Sequence, residues 1–276
     1  MSKDDVLTYP SVSQKYLEYL RRERWSRFTI RGSQIALLVL FLVLWEVLPR
    51  AHIVNPLFTS YPSAIWPTFI ELLKESPQQA SILGHAWSTV FATVVGFSLA
   101  TALGMALAAL LWRSEMLYKI LDPYIVVANA MPKTAFVPIF YLWLGATLSV
   151  YGMSLAISLF ITTMIIYTGY QGIDPNKIKL VQTFGATKGQ IFRKVVFPGS
   201  VPSLFAALKV NVGLSLTGVV VGEFQSANLG LGYLIQYGSQ IFKLNIVMTA
   251  ITILALISVG LYAVLYYLEA VVTRGR

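Results

Sequence analysis

No cysteine occurs among the 276 residues, so disulfides, thiolate catalysis and cysteine-ligated metals are excluded. Histidine is almost missing as well: His52 and His85 are too few to build a metal cluster. Charge is the third shortage. Only 12% of residues are charged against 56% hydrophobic, roughly half the charge of an ordinary globular chain. A water-soluble protein of this size could not cover its surface with so few charges, whereas lipid solvates apolar side chains without them. Nucleotide-binding loops are lacking too. Gly185-Ala-Thr-Lys-Gly189 does not have the order in which backbone amides cradle phosphates ahead of a Lys-Ser/Thr pair, and Lys133-Thr134 lacks the glycines. Nor is there a Ser/His/Asp set or a pair of intramembrane carboxylates, since Glu46 and Asp122 lie near the ends of apolar runs. No catalytic residue, metal ligand or bound cofactor is therefore assigned to this chain, which reads as a non-enzyme.

What is present is an all-α, polytopic membrane protein. A membrane-crossing helix needs about 20 mostly apolar residues, and six stretches qualify: 32–48, 86–112, 123–145, 150–170, 201–222 and 246–268. The net charge of +9 does not point to nucleic acid, because the bases punctuate apolar runs instead of forming a patch. With six crossings they fall on one side. Lys3, Lys15, Arg21, Arg22, Arg24, Arg27 and Arg31 lie in the head, Arg113 and Lys119 in one loop, Lys177, Lys179, Lys188, Arg193 and Lys194 in the next, and Arg274 and Arg276 in the tail. Only Arg50, Lys74 and Lys243 remain opposite, which puts both termini in the cytoplasm. Residues 1–31 then form a cytoplasmic segment and 32–276 the membrane domain, with no secretory signal peptide expected, since the first apolar run starts too late. In the head, Tyr16, Leu17 and Leu20 share one helical face suited to the inner leaflet, the alternative for this segment being disorder. At 62–75, Ile65, Phe69 and Leu72 or Leu73 oppose Glu71, Lys74 and Glu75, a pattern for a short helix on the outer interface.

Two kinds of pattern mark the spans. Ser88, Ala92, Gly96, Ala100, Gly104 and Ala108 recur every fourth residue and make a smooth face for close packing, within the subunit or across a dimer; Gly96, Ala100 and Gly104 are its centre. Polar groups recur on other faces: Ser154, Ser158 and Thr162 in the fourth span, and Asn211, Ser215, Gly218 and Gly222 in the fifth, with Lys209 and Glu223 toward its two ends. Polar groups facing hydrocarbon are costly, so these faces turn toward other helices or a watery path. Back-bonding of hydroxyls to the preceding turn is an alternative for each Ser or Thr. Asn129, Pro132, Lys133 and Pro138 predict a bent or broken third span, either a plain kink or a transporter's solute site. The candidate translocation path is thus Asn129, Lys133, Ser158, Thr162, Lys209, Asn211, Ser215 and Glu223, with Lys133 and Lys209 giving a positive potential that favours an anion.

The stretch 172–202 is the most informative. Asp174-Pro175 reads as a helix start with Asp as N-cap and Pro in the first turn. Gly185 suits a left-handed C-cap, and Pro198 and Pro202 punctuate the approach to the fifth span. Val181 and Phe184 are expected to be exposed on this short helix, about 174–191, and an apolar pair offered to the cytosol fits helix-in-groove docking on a soluble partner.

Here the sequence resembles the permease subunits of binding-protein-dependent ABC importers. The resemblance rests on Thr183-Phe184-Gly185-Ala186 and Val195-Val196-Phe197-Pro198, in the frame of that family's cytoplasmic signature. Lys179, Leu180 and Val181 stand where the family has Glu-Ala-Ala. Trp45-Glu46, Tyr61-Pro62-Ser63, Asp122-Pro123, Met131-Pro132-Lys133, Val221-Gly222-Glu223-Phe224 and Gly230-Leu231-Gly232-Tyr233-Leu234 are similar, in order, to the nitrate, sulfonate, taurine and bicarbonate branch. The resemblance implies a type I ABC importer permease of a bacterial inner membrane, with thiamine-precursor or riboflavin import as alternative roles. It implies a second permease copy, an extracellular solute-binding protein, and a cytosolic ABC ATPase dimer that uses ATP and Mg. Contact with the ATPase would run through Lys179, Leu180, Val181, Gln182, Thr183, Phe184, Gly185, Ala186 and Thr187, with Phe184 as anchor. The rivals are an ion-coupled secondary transporter, which would want internal repeats and buried midplane acids, and a non-transport membrane component.

Overall fold

A computed structural model describes residues 14–55, 59–74, 80–226 and 228–273. Among the described residues there are helices and connecting turns but no strand, as hydrocarbon demands, because a helix satisfies its own backbone where water is absent. Two compact units are distinguished, Met1–Ser63 and Ala64–Arg276.

The first unit is dominated by α1 (Gln14–Arg50), a single helix of 37 residues that runs without a break through position 31. Its 28–50 portion is long and apolar enough to cross a membrane, and nearly all its side chains face outward. At its end the Trp45 indole donates to the Ser60 carbonyl at 2.7 Å. The Glu46 carboxylate accepts from the Ser63 amide and hydroxyl and pairs with Arg50 at 2.6 Å; Pro62 and Ser63 open α2 (Pro62–Leu72). Lys3, Glu75, Arg274 and Arg276, and the side chains of Lys15, Tyr16, Leu17, Leu20, Arg21, Arg24 and Arg27, lie outside the described residues.

In the second unit α2 turns Phe69 and Leu72 onto a cluster built from Ile82, Leu231, Leu234, Ile246 and Ala250, while Trp66 points away. The core is three helices: α3 (Ile82–Arg113), α5 (Val137–Gln171) and α9 (Val201–Ser226). Glycines set their separation. A Cβ on Gly96 would stand 2.2 Å from the Ser154 hydroxyl, and one on Gly218 only 2.5 Å from the Ser154 Cα. The small-residue ladder of α3 therefore packs within the subunit: Ala92, Gly96, Ala100, Gly104 and Ala108 are all buried.

The same contacts give helix directions. Gly96 meets Ser154 and Gly104 meets Thr162, so α3 and α5 run parallel; Gly222 meets Val150 and Gly169 meets Ser203, so α9 is antiparallel to α5. Two parallel neighbours need a connection that returns along the bundle. Residues 114–145 make it in pieces: α4 (Glu115–Ala130), an extended Met131-Pro132, a 3₁₀ turn at Lys133–Phe136, and the first part of α5. Gly145, at φ 76° and ψ 177°, breaks α5 before its buried half begins.

The expected break in the third span falls at Met131-Pro132 and again at Gly145. Five helices among the described residues are long and apolar enough to cross a membrane; one of them, Lys133–Gln171, joins the second half of the expected third span to the fourth across the Gly145 kink, so the six spans do not appear as six separate helices. Pro132 and Pro138 cannot donate to the helix ladder, and Gly145 adopts a backbone that helices exclude. The register still requires this stretch to traverse the bundle. Single cysteines at Lys119 and Thr147, both exposed, will accordingly react with a membrane-impermeant maleimide from opposite faces of the membrane; labelling from one face contradicts the parallel register.

After α5 come α6 (Pro175–Thr183), α7 (Lys188–Ile191), a π-helical stretch Phe192–Val196 and the single turn α8 (Phe197–Gly199). Beyond α9 lie α10 (Leu231–Gln240) and α11 (Leu244–Thr273).

Candidate functional site

The loop between α5 and α9 is a built structure. Asp174 caps α6, its carboxylate accepting from the Asn176 amide at 2.9 Å, and Pro175 fills the first turn. Gly185, at φ 76°, ends the helix as expected, its amide returning to the Gln182 carbonyl at 2.9 Å. Thr187 and Gln190 then form a capping box that starts α7. The facing of α6 differs from expectation. Val181 is half-buried, packing with Ile178 and Ala186 onto a cluster that includes Ile166, Tyr167, Tyr170 and Val196. Leu180 takes its place outside, 59% exposed beside Phe184 at 80%. The reason is geometric: residues four apart share a helix face, so Leu180 and Phe184 stand together while Val181 turns about 100° away. Lys179, Gln182, Thr183 and Thr187 are exposed around this knob and Ala186 is half-buried.

The candidate path residues divide. Asn211, Ser215, Ser158, Thr162 and Glu223 are all at most 1% exposed, enclosed where α3, α5 and α9 meet. Asn211 donates to the Thr101 hydroxyl at 2.7 Å, Ser215 donates back to Asn211, Ser154 donates to the Ser215 carbonyl, and Ser158 back-bonds to the Ser154 carbonyl. In this chain the four residues besides Glu223 thus fill a helix-helix seam, not an open wall. The Thr162 hydroxyl is buried without a partner among the described residues. Lys209 is not a free positive charge: its ammonium pairs with Glu269 of α11 and lies over the Tyr266 ring. The expectation that Lys209 lends the path a positive potential is corrected on that ground, since an adjacent carboxylate cancels the field. Asn129 and Lys133 are half-buried at the α4 break, where the Lys133 amine donates to the Asn129 carbonyl at 2.9 Å.

Glu223 organises a knot that sequence reading did not assemble. The Thr89 hydroxyl stands 2.9 and 3.0 Å from its two carboxylate oxygens, and the Gly232 amide donates to it at 2.8 Å. Thr89 also accepts from the Leu231 amide at 2.8 Å, and the His85 Nδ1 lies 3.0 Å from the Gly230 amide. The His85 ring stacks on Tyr233. Gly230 has φ 123°, and a Cβ there would fall 2.2 Å from the Glu223 carboxyl carbon. So the first turn of α10 is clamped onto α3 and α9 by a carboxylate that serves as its cap. The available signal was the Gly230-Leu231-Gly232 run, since two glycines in one turn mark a close backbone approach; nothing in the sequence tied it to His85 and Thr89. Beside the knot, a cavity of 260 Å³ is lined by Ser88, Thr147, Tyr151, Glu223 and Asn228 among others. No grouping of three or more His, Cys, Asp or Glu able to hold a metal occurs among the described residues.

Residues 100–275 match the family described as "Binding-protein-dependent transport system inner membrane component". The chain is 28% identical over 239 residues to the formylaminopyrimidine transport permease protein ThiX of Halalkalibacterium halodurans, which spans 86% of this chain and 93% of that protein. It is 22% identical over 251 residues to the taurine transport system permease protein TauC of Escherichia coli, covering 90% of each. A chain of the inward-facing MetNI methionine ABC transporter superposes with a TM-score of 0.62 at 17% identity, over 75% of this chain and 98% of that one; at that identity the likeness speaks for the fold. Helices that cross a membrane, a capped loop helix with an apolar knob and a family match over most of the chain agree: this protein belongs to the binding-protein-dependent transport system inner membrane components and is a permease subunit of an ABC importer.

Proposed function

We propose that this permease conducts a small anionic nutrient of the sulfonate, taurine, nitrate or bicarbonate kind, as two copies fed by an extracellular solute-binding protein and driven by a cytosolic ABC ATPase dimer. ATP and Mg are used by those ATPases. The basic side of the chain is cytoplasmic, with both termini there. The observation that carries the coupling is the Leu180–Phe184 knob, two large apolar side chains held in the open by a helix capped at both ends. A knob of this kind is suited to a groove on a partner. Lys177 and Lys179, on the same short helix, are exposed, so the matching groove is apolar with an acidic rim. Motion of the knob reaches the membrane through Ile178 and Val181, which pack on the α5 residues Ile166, Tyr167 and Tyr170. Gly218 and Gly222 bring the α9 backbone against α5, so that a push on α6 moves both helices as one body.

The anion reading is supported by the taurine permease likeness and by Lys133, which has no acidic partner among the described residues. A second reading, import of a neutral pyrimidine, draws on the ThiX likeness across 93% of that protein and on the pairing of Lys209 with Glu269. Uptake by the reconstituted transporter separates them. On the anion reading excess taurine or another sulfonate blocks uptake, a neutral aminopyrimidine does not, and Lys133→Gln lowers anion uptake about tenfold, the effect of losing one well-placed charge. Competition by the aminopyrimidine alone reverses the assignment.

A further inference from the structure

The inner end of α3 carries a feature that the transport cycle leaves unused. A cavity of 360 Å³ opens between the last turns of α3 and the α7 segment, and its walls are almost entirely apolar. Ala106 and Leu110 form one side on the exposed face of α3, opposite the buried Ala108 and Leu111. Trp112 and Phe192 close the back, with ring centroids 5.3 Å apart. Two cations, Arg113 and Lys188, stand at the mouth, both exposed, and neither enters an ion pair among the described residues. The acid nearest in sequence, Glu115, is taken by Lys119 at 2.7 Å.

Depth and chemistry agree on one occupant. Arg113 is the last residue of an apolar membrane-length helix, which is the level of lipid headgroups. A Trp beside it is the residue type that favours this level. An apolar slot with two unpaired cations at its mouth complements a molecule that is anionic at one end and hydrocarbon at the other. We propose that this slot binds an anionic phospholipid of the inner leaflet, its phosphate between Arg113 and Lys188 and the upper part of one acyl chain along Ala106 and Leu110. The two bases supply charge-assisted hydrogen bonds to the phosphate, and the slot supplies a dry wall that a free phosphate does not use. A lipid seated there would bridge α3 to the segment that follows the coupling helix, stiffening the link between them.

The test is native mass spectrometry on the full-length chain, with phosphatidylglycerol, phosphatidylcholine and glycerophosphoglycerol (the headgroup without chains) as probes. Phosphatidylglycerol is expected to stay bound where phosphatidylcholine and the chain-free headgroup do not. Arg113→Gln combined with Lys188→Gln should weaken its retention about thirtyfold, each base contributing about fivefold to headgroup attraction. Ala106→Trp, which fills the slot and spares both charges, should weaken it as well, with circular dichroism of each variant unchanged. Equal binding of phosphatidylcholine, undiminished binding by the charge variant, or full displacement by the chain-free headgroup overturns the proposal. The last of these assigns the two bases to a soluble phosphate. If the variants lose helicity, tryptophan fluorescence titrated with brominated phosphatidylglycerol decides, read as the difference between the unaltered chain and Trp112→Phe because five other tryptophans contribute: a Trp112 component quenched more by the brominated anionic lipid than by brominated phosphatidylcholine supports the site, and an equal or absent component refutes it.

Discussion

Gly230→Ala will destabilise the end of the bundle where α10 meets α3 and α9. The added methyl would fall 2.2 Å from the Glu223 carboxyl carbon, at a φ of 123° that L residues rarely adopt. Backbone strain of this sort costs on the order of 1–3 kcal/mol. Displacing Glu223 also strands the Gly232 amide, about 1–3 kcal/mol when buried without a partner, and leaves the Thr89 hydroxyl only the His85 carbonyl at 3.2 Å to donate to. The sum, about 2–6 kcal/mol, is a large share of the stability of many domains, so the variant should aggregate in detergent or melt about ten degrees lower, by the usual conversion for a protein of this size. Glu223→Gln should be milder, since its amide oxygen still accepts one bond. Gly213→Ala is the control: that α9 glycine has open space where its Cβ would go, and alanine there should be neutral or slightly stabilising. Equal melting of the Gly230→Ala and Gly213→Ala variants would remove the knot from the account.

The second large effect is functional. Leu180→Ala with Phe184→Ala deletes the apolar knob without touching the packed face of α6, because Ile178, Val181 and Ala186 hold that face against the bundle. Membrane insertion and melting temperature should therefore be unchanged. Anchors of this kind often contribute about 2 kcal/mol or more to an interface, and a knob with two of them should lose about a hundredfold or more in affinity for the ATPase. Solute uptake is expected to fall to background while the ATPase either dissociates or hydrolyses ATP without transport. A single Val181→Ala change behaves differently. It loosens the half-buried side of α6 and should lower stability by about 1 kcal/mol while leaving the docking face in place.

How much of this was legible beforehand depends on whether the cause is local. The start and end of α6 were readable because Asp174, Pro175 and Gly185 act on their own backbone. The long apolar runs and the small-residue ladder of α3 were readable for the same reason: composition and period are properties of one helix. Helix facing within a short segment was less so. Leu180 and Val181 are adjacent and both apolar, and only the tertiary packing of Val181 onto Tyr167 and its neighbours decides which one turns outward.

What sequence reasoning could not supply was pairing at a distance. Glu223 meets Thr89 across 134 positions of chain, and His85 meets Gly230 across 145; no periodicity encodes which face of one helix finds another. The same limit misassigned Lys209. Its partner Glu269 lies 60 positions away, and a lysine viewed without its carboxylate looks like a free charge in a pore. Hydroxyls behaved as the back-bonding alternative suggested at Ser158, whereas Ser154 and Ser215 bond between and along helices to close the seam. The break in the third span was readable from Pro132 and Pro138, which act on their own backbone; the second break, at Gly145, was not, because an isolated glycine is equally compatible with an unbroken helix.

The absence of cysteine allows one direct test of the coupling assignment. A single cysteine placed at Phe184 will react with an impermeant maleimide only from the cytoplasmic face, and co-expression with the cognate ATPase will protect it or, with a cysteine opposite, form a cross-link whose yield changes with ATP. Reaction from the outer face, or labelling indifferent to the ATPase, would contradict the claim that this knob is where nucleotide energy enters the membrane.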